Sequence, residues 1–478
     1  MNQITRIAIV LNDRSYEYDI YTLVIAFFQG IRTQVYDPGQ EQEADLLVKA
    51  MIEPERIFLA VDTQVRDIPV ESGSDRSVYK NRIKRGLYEM LRQMTGRDLP
   101  WGNLTGIRPV KLAMQYLNEG EEEAKRQMQE RYYVSRKKAD LAVSIALRES
   151  RILDGIDTKN GYSLYIGIPF CPSICLYCSF SSSPYALWEA RVDEYLDALL
   201  HEMESCRGCF PGKKLHTVYI GGGTPTTLNP AQLERLLTAV EDNYDLTGVM
   251  EFTVEAGRPD SITKEKLEVL KRHPVTRISV NPQTMNQKTL NLIGRRHTVE
   301  DTVRAYETAR LAGFDNINMD LIVGLPGEGL REIERTMSEI EALNPDDITV
   351  HALALKRAAR LALHMDEYEK ISFQASDQIM DRCEEGCSRL FMTPYYLYRQ
   401  KNMAGNFENV GYAKPGKAGL YNILIMEEVE CILALGASGS TKIVYEDGRI
   451  ERVENVKDIR NYLERIDEMI HRKISIFG

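Results

Sequence analysis

The sequence predicts an α/β protein: six serial β/α units forming a parallel sheet, either open and doubly wound or a partial (β/α)6 TIM-like barrel, preceded by an N-terminal α+β domain and followed by a mostly helical C-terminal region. Three observations predict it. Between about residues 156 and 355, six short apolar runs alternate with amphipathic stretches, the pattern of parallel strands joined by crossover helices. The 478 residues amount to about three units at roughly 150 residues each. With 43% hydrophobic and 27% charged residues, the composition is that of a core-forming globular chain and excludes disordered, collagen-like and mucin-like classes.

Taken in order, residues 1–155 carry strand-like runs at Ile7–Leu11 and Arg56–Val61. A helical pattern follows from Tyr79 to Met94, where Ile83, Leu87, Leu91 and Met94 recur at three- and four-residue spacing. The segment Pro100–Pro109, with its Trp101, glycines and prolines, reads as a turn before a helix and is a candidate contact for a substrate or partner. The Gly/Asp/Asn-rich stretch Asp154–Gly161 marks the boundary.

The barrel strands are expected at Leu164–Ile168, Thr217–Ile220, Phe252–Val254, Arg277–Val280, Asn316–Leu321 and Asp347–Leu353. Between the first two, Val192, Tyr195, Leu196, Leu199, Leu200 and Met203 form one helix face. Chemistry in such sheets gathers at the C-terminal strand ends. Residues 356–478 begin helical, pass a strand at Pro394–Arg399, end in a helix from Val456 to His471 and are expected to cover the substrate.

Charge and cysteine usage narrow the function. A net charge of −10 argues against a surface that tracks a nucleic-acid backbone. No stretch reaches the roughly 18 uninterrupted apolar residues of a membrane helix, and the start lacks a signal-peptide pattern, so a cytoplasmic protein is expected. In that reducing compartment clustered cysteines bind metal or do redox chemistry more often than they form bridges.

Three of the eight cysteines, Cys171, Cys175 and Cys178, fall at C-x3-C-x2-C directly after the first barrel strand. Thiolates on a tight loop hold iron–sulfur clusters, and three ligands for a four-iron cube leave one iron open. Zinc is the alternative and would need a fourth ligand, such as Cys206, Cys209 or a histidine. Three buried apolar thiols are the plain alternative.

The cysteine loop, with Tyr177 before its last Cys, resembles that of the radical S-adenosylmethionine (SAM) superfamily. The resemblance implies a [4Fe-4S] cluster on Cys171, Cys175 and Cys178. It also implies SAM chelating the fourth iron and reductive cleavage to a 5′-deoxyadenosyl radical.

Further motifs at strand ends are Gly221-Gly222-Gly223-Thr224-Pro225-Thr226, Glu255 in TVEA, Gln283 in SVNPQ, Gly294-Arg295-Arg296-His297 and Asn318 to Gly327. With the cysteine loop they resemble the oxygen-independent coproporphyrinogen III oxidase family, most closely its HemZ branch. By that resemblance Tyr165, Tyr177, Gly222, Gly223, Thr224, Glu255, Gln283, Arg295, Asp320 and Ala354 line the SAM site, with Tyr165 and Glu255 catalytic. Carboxylates suit ribose hydroxyls or an amino group, Arg295 suits a carboxylate, and Tyr177 suits adenine. The chain departs from the oxidase branch at Gly167, where a His stands, and at Phe180, where a further Cys stands; the haem-chaperone branch also has an aromatic there.

The resemblance implies oxidative decarboxylation of coproporphyrinogen III to protoporphyrinogen IX, an electron donor such as flavodoxin or ferredoxin, and a monomer. A haem-binding chaperone, or a radical SAM methyltransferase or tetrapyrrole ring-opening enzyme, is the rival reading. A tetracarboxylate substrate needs local cations; candidates are Arg295, Arg296, Lys356, Arg357, Arg360, Arg399 and Lys401, with Tyr395, Tyr396 and Tyr398 facing the macrocycle. Cys206, Cys209, Cys383 and Cys387 are weak candidates for an auxiliary cluster, and His351 for catalysis.

Overall fold

Alternation of apolar side chains on short β-rich runs, and three- to four-residue spacing on longer ones, resolves in the computed structural model into two compact units. The structure describes residues 4–106, 108–354, 375–400, 403 and 406–477. One unit comprises Met1–Leu147 with Leu397–Glu408; the other comprises Arg148–Tyr396 with Asn409–Gly478.

In the first unit β1 (Arg6–Leu11), β2 (Arg32–Tyr36), β3 (Leu46–Glu53), β4 (Arg56–Val61) and β5 (Gln64–Pro69) form a sheet of order β2-β1-β3-β4-β5. β1 runs parallel to β2 and β3, and the remainder is antiparallel. The helix Arg76–Thr95 buries Tyr79, Ile83, Leu87 and Leu91 in one core with Ile7, Ile9, Val48 and Leu59. Each such side chain contributes about 1.5–3 kcal/mol by leaving water. Trp101 is fully buried; its indole N–H donates to Glu408 Oε2 at 2.8 Å, and the same carboxylate pairs with Lys138 Nζ at 2.5 Å.

The second unit holds β6 (Gly161–Ile168), the short pair β7 (Phe170–Cys171) and β8 (Ser183–Pro184), β9 (Lys214–Gly222), β10 (Glu251–Gly257), β11 (Arg277–Val280), β12 (Ile317–Val323) and β13 (Asp347–Ala352). It continues through β14 (Thr393–Tyr398), β15 (Asn409–Ala413), β16 (Cys431–Leu435), β17 (Ser440–Val444) and β18 (Ile450–Glu454). Apart from β7 and β8 these make one sheet of order β14-β15-β13-β12-β11-β10-β9-β6-β16-β17-β18. The six expected strands are neighbours in chain order and all parallel. β6 and β11 are almost wholly buried, as a strand covered on both faces must be.

The C-terminal region is more β-rich than its helical start suggests. β16 pairs parallel with β6, so the cysteine strand is internal, and β17 and β18 continue outward antiparallel. At the far edge β15 closes antiparallel on β13. Short apolar runs such as Cys431–Leu435 carry no period that separates strand from helix, and only the tertiary partner decides.

The last helix, Ile466–Phe477, is tied down by a buried ion pair. Lys473 and Glu202 are both fully buried and bonded to each other; Glu202 also accepts from Asn455, Tyr462 and the Gly436 N–H at 2.7–2.8 Å. Among the described residues no helix is long and apolar enough to cross a membrane.

Candidate active site

Most residues expected to hold the cluster or SAM lie at or near the C-terminal end of a parallel strand. β6 leads into the cysteine loop, β9 into Gly222–Thr224, and β10 carries Glu255. Gln283 follows β11, Asp320 lies in β12, and His351 and Ala354 lie at and beyond the end of β13. Neighbouring parallel strands in register bring residues distant in sequence to one edge: Ile168 sits opposite Gly222, and Tyr165 opposite Tyr219.

The cysteine loop is held from both sides. Leu176 N–H donates to Ile293 O at 2.9 Å, Ser173 Oγ to Gly294 O at 3.0 Å, and Cys178 N–H to Cys175 O at 3.2 Å. All three thiols are free of disulfides. Thr224 Oγ1 donates to Cys171 Sγ at 3.6 Å, and Arg258 Nη1 to Cys175 Sγ at 3.7 Å. Arg258 is 4% exposed, forks onto Asp260 at 2.6 and 2.9 Å, and reaches Ser173 Oγ at 2.9 Å. Burial pushes the Cys171 thiol up, while the hydroxyls of Thr224 and Ser182 act against it.

Among the described residues no three His, Cys, Asp or Glu side chains are close enough to share one metal ion. A cluster differs from an ion in taking its thiolates on separate irons, so its thiols need not meet at a point. Thr224 and Arg258 supply hydrogen bonds to two of the sulfurs, as a cluster's thiolate ligands require, and the set fits an iron–sulfur group.

The glycine turn has a specific task. Gly223 N–H donates to Ile168 O at 2.8 Å and Thr224 N–H to Phe170 O at 2.7 Å, clamping β9 to the root of the cysteine loop. A Cβ on Gly223 would stand 2.5 Å from Phe170 O, and Gly222 has φ +108°, which disfavours any side chain. The close approach seen at this turn is one of backbone to backbone.

Polar groups then line the strand ends. Tyr219 donates its phenol to Glu255 Oε1, and Tyr219 stacks on Tyr421 at 4.4 Å between centroids and on Tyr165 at 6.2 Å. Burial, with the charge of Asp320 adding to it against the Tyr219 bond, pushes the Glu255 carboxyl up to about 7. Burial acts on Asp320 in the same sense, but His351, Asn318 and Thr349 hold it below the ordinary value. Asn318 Nδ2 donates to Asp320 Oδ1 at 2.7 Å, and His351 Nε2 lies 3.8 Å from the same oxygen.

Arg295, 3% exposed, donates to Asn281 O at 2.6 Å and Tyr177 OH at 3.2 Å. Its Nε and the Oε1 of Gln283 are buried without a hydrogen-bond partner among the described residues. Gln283 is held at φ +66° by the bonds of its N–H to Asp320 O and of Ile322 N–H to its own O, both 2.9 Å. Orphaned buried polar atoms and a strained non-glycine residue at a strand end mark a site made for a polar ligand.

Tyr165, Glu255 and Asp320 thus meet one another electrostatically, as do Tyr177, Arg295, Cys175 and Cys178. Ala354 lies half-buried beyond β13. Arg258, Tyr219 and Tyr421 escaped the sequence reading, while Asn281 and Asn318 stood in its motifs without a role of their own. Arg258 lies three residues past Glu255 on the same strand end, and Tyr219 shares the face of Tyr165 through register; only Tyr421, from a distant helix, left no local signal.

Other expectations fare differently. Tyr395 is fully buried and bonded to Asp347, which pairs with Arg277 at 3.1 Å at the opposite strand ends, so Tyr395 is structural. Arg399 belongs to the first unit, where it donates to Leu104 O at 2.6 Å. Arg296 is exposed, and Lys356, Arg357, Arg360 and Lys401 lie outside the described residues. Cys206 and Cys209 are free thiols that share a hydrogen bond, and Cys383 and Cys387 are buried on the helix Asp377–Arg389.

Comparison with known proteins accords with this geometry. Residues 165–340 match the model of the Radical SAM superfamily. The chain is 40% identical over 402 residues to the oxygen-independent coproporphyrinogen-III oxidase-like protein HemZ of Bacillus subtilis (strain 168), covering 83% of this chain and 80% of that one. It is 32% identical over 320 residues to heme chaperone HemW of Lactococcus lactis subsp. lactis (strain IL1403), covering 66% and 78%. The solved structure of coproporphyrinogen III oxidase (HemN) from Escherichia coli, a radical SAM enzyme, superposes with a TM-score of 0.52 at 25% identity over 65% of this chain and 70% of that one.

Six parallel strands with a three-thiol loop after the first, the superfamily model over residues 165–340 and the HemZ relationship across most of the chain define a radical SAM protein. The family implies a [4Fe-4S] cluster and SAM. Within the superfamily the chain belongs to the oxygen-independent coproporphyrinogen III oxidase family, on its HemZ-like branch.

Proposed function

We propose that the chain oxidatively decarboxylates two propionates of coproporphyrinogen III to vinyl groups, giving protoporphyrinogen IX. The relationship to HemZ across four-fifths of both chains carries this reading, because it extends well beyond the 165–340 segment that the superfamily shares. When bound, cluster and SAM together supply a carbon-centred oxidant that takes a hydrogen atom from an unactivated C–H. Each propionate then loses one β-hydrogen atom, CO2 and one electron, the last to an external one-electron acceptor. Flavodoxin or ferredoxin is the proposed donor, and the chain is proposed to act as a cytoplasmic monomer.

The chain's own residues have definite tasks in this reading. Cys171, Cys175 and Cys178 hold the cluster, with Thr224 and Arg258 donating to two of the sulfurs. Tyr165, Tyr177, Gly222, Gly223, Thr224, Glu255, Gln283, Arg295, Asp320 and Ala354 bind and orient SAM. The free Nε of Arg295 suits its carboxylate, and the free Oε1 of Gln283 suits an N–H or hydroxyl donor. Glu255 and Tyr165, in electrostatic contact at the strand ends, are the proposed catalytic pair.

A second reading, a haem-binding chaperone, draws on the HemW relatives and on Phe180, a 72% exposed aromatic just past the last cysteine. Anaerobically reconstituted protein incubated with SAM, a low-potential reductant and coproporphyrinogen III separates the two. Gain of two vinyls with loss of two CO2 supports the oxidase. Stoichiometric haem binding without turnover supports the chaperone, and a methylated or opened macrocycle supports neither. Cys171→Ser, Cys175→Ser and Cys178→Ser should each lose iron and labile sulfide, whereas Cys206→Ser should keep them; iron retained in all the first three overturns the cluster assignment.

A further inference from the structure

The first unit holds a group of buried cations that outnumber their anions. Lys84 is 6% exposed, yet its ammonium makes one hydrogen bond among the described residues, to Thr105 Oγ1 at 3.0 Å, and no carboxylate lies within 4.0 Å of it. Arg399 is 5% exposed and donates to Leu104 O at 2.6 Å and to the Asn406 side chain; its Nε is buried without a partner, and it too lacks a carboxylate partner among the described residues. The two cations therefore grip adjacent residues of one loop, the Pro100–Pro109 segment that the sequence singled out.

The nearby carboxylates are already engaged. Asp19 pairs with Lys80 at 2.9 Å, and Glu408 pairs with Lys138 at 2.5 Å while accepting from Trp101. Among the described residues the partly exposed Lys80 and the buried Lys84, Lys138 and Arg399 face two carboxylates, Asp19 and Glu408, an excess of two positive charges, with Arg399 also lying 5.7 Å over the Trp101 ring. Burial drives the Lys84 ammonium down to about 8, with Lys80 and Arg399 opposing the help of Asp19, and drives Arg399 down to about 10. Isolated buried charge is costly enough that proteins pair it, neutralise it or use it. In a chain of net charge −10, an uncompensated basic pocket is not a by-product of composition. A Cβ at Gly106, next in the loop, would meet no described atom within 4 Å, so the loop has open space beside it.

We propose that Lys84 and Arg399, on the Leu104–Thr105 loop, form a binding site for an oxyanion group, a phosphate or carboxylate of a small molecule, in the N-terminal unit. The site is independent of cluster and SAM, and neither the oxidase nor the chaperone reading requires it. Lys84 contributes a point charge and two unused N–H donors, and Arg399 a directional Nε–H. Thr105 and the backbone of Leu104 hold the two heads on adjacent residues of one loop.

The test uses the full-length reconstituted protein, titrated at low salt with inorganic phosphate, with a short dicarboxylate, and with coproporphyrin III as the air-stable tetracarboxylate. Calorimetry and thermal denaturation serve as readouts. Saturable binding that raises the melting temperature is expected for at least one probe. It should weaken at least tenfold in Lys84→Met and in Arg399→Gln, while iron content is retained. Preference for phosphate identifies a phosphorylated ligand, and preference for the porphyrin a tetrapyrrole carboxylate.

Lys84→Met should also raise the melting temperature without any anion, because it removes a poorly compensated buried charge. No saturable binding of any probe, or equal binding by both variants, overturns the proposal. So does a Lys84→Met protein that is destabilised and unresponsive in the same way as a core variant. None of these outcomes bears on SAM cleavage, so they cannot be confused with failure of the oxidase reading.

Discussion

Arg258 Nη1 lies 3.7 Å from Cys175 Sγ while the rest of its guanidinium forks onto Asp260. A fixed cation donating to a ligating sulfur stabilises the more negative, reduced state of an iron–sulfur centre. Net charge and hydrogen bonds to sulfur set its potential. Arg258→Leu should therefore lower the cluster potential by tens of millivolts with iron content unchanged, and Arg258→Lys should fall between. Redox titration followed by electron paramagnetic resonance reads this, and an unchanged or raised potential contradicts it.

Gly223→Ala places a methyl where Phe170 O already stands at 2.5 Å, and backbone cannot step aside as a flexible side chain can. Overpacking of this kind costs about 1–3 kcal/mol and would push β9 away from the root of the cysteine loop. Weaker SAM binding and lower cluster occupancy are expected together. Gly208→Ala, with nothing within 4 Å, is the control that should change neither. Equal behaviour of the two variants would show that the clamp does not matter.

Glu255 holds its proton up to about pH 7 in the folded chain, while its ordinary value is 4.5. Between those values the folded state binds more protons than the unfolded one, so the carboxyl's contribution to stability declines as pH rises through this window. The span corresponds to on the order of a few kcal/mol. Glu255→Gln should flatten that part of the stability profile in urea denaturation between pH 5 and 8. If the ionised carboxylate accepts from SAM, wild-type SAM affinity should rise through pH 7 and the variant's should not.

Lys473 and Glu202 form a fully buried pair between the last helix and the helix Val192–Cys206. Lys473→Met leaves the Glu202 charge with only neutral donors, which should cost about 3–5 kcal/mol in chemical denaturation. Replacing both, as Glu202→Gln with Lys473→Met, should recover part of that loss. A single variant as stable as wild type would mean that Asn455, Tyr462 and Gly436 suffice.

The six-stranded parallel array was legible because its strands repeat one pattern six times, and each expected strand falls within one or two residues of an observed one, apart from longer ends on β6, β9 and β10. The helix whose face was expected over Val192 to Met203 spans Val192–Cys206, and the tighter turns Tyr185–Leu187 and Glu189–Arg191 precede it. The terminal helix expected over Val456–His471 is two, Ile459–Glu464 and Ile466–Phe477, with Arg465 at the break. The cysteines, glycines and strand-end carboxylates were legible as motifs. Arg258 and Tyr219 were not, since their relevance depends on what stands opposite them. Arg399 was read as a cation for the barrel because sequence order places it after the sixth strand; chain return to the first unit is a tertiary fact.

β6 is an internal strand only because β16 covers its free side, and the partners are far apart: Ser163 Oγ donates to Glu430 Oε1 across 267 positions. Until that distant segment arrives, the strand leading into the cysteine loop is an uncovered, largely apolar edge. Pairings of such long separation form late in folding, and open edges of this kind recruit other chains. The assembly of the metal centre is thereby tied to the folding sequence: a chain arrested before residues 431–435 dock has its thiols but a sticky, unfinished seat for them. Misassembly and poor cofactor loading should consequently appear together, as two outcomes of one slow step.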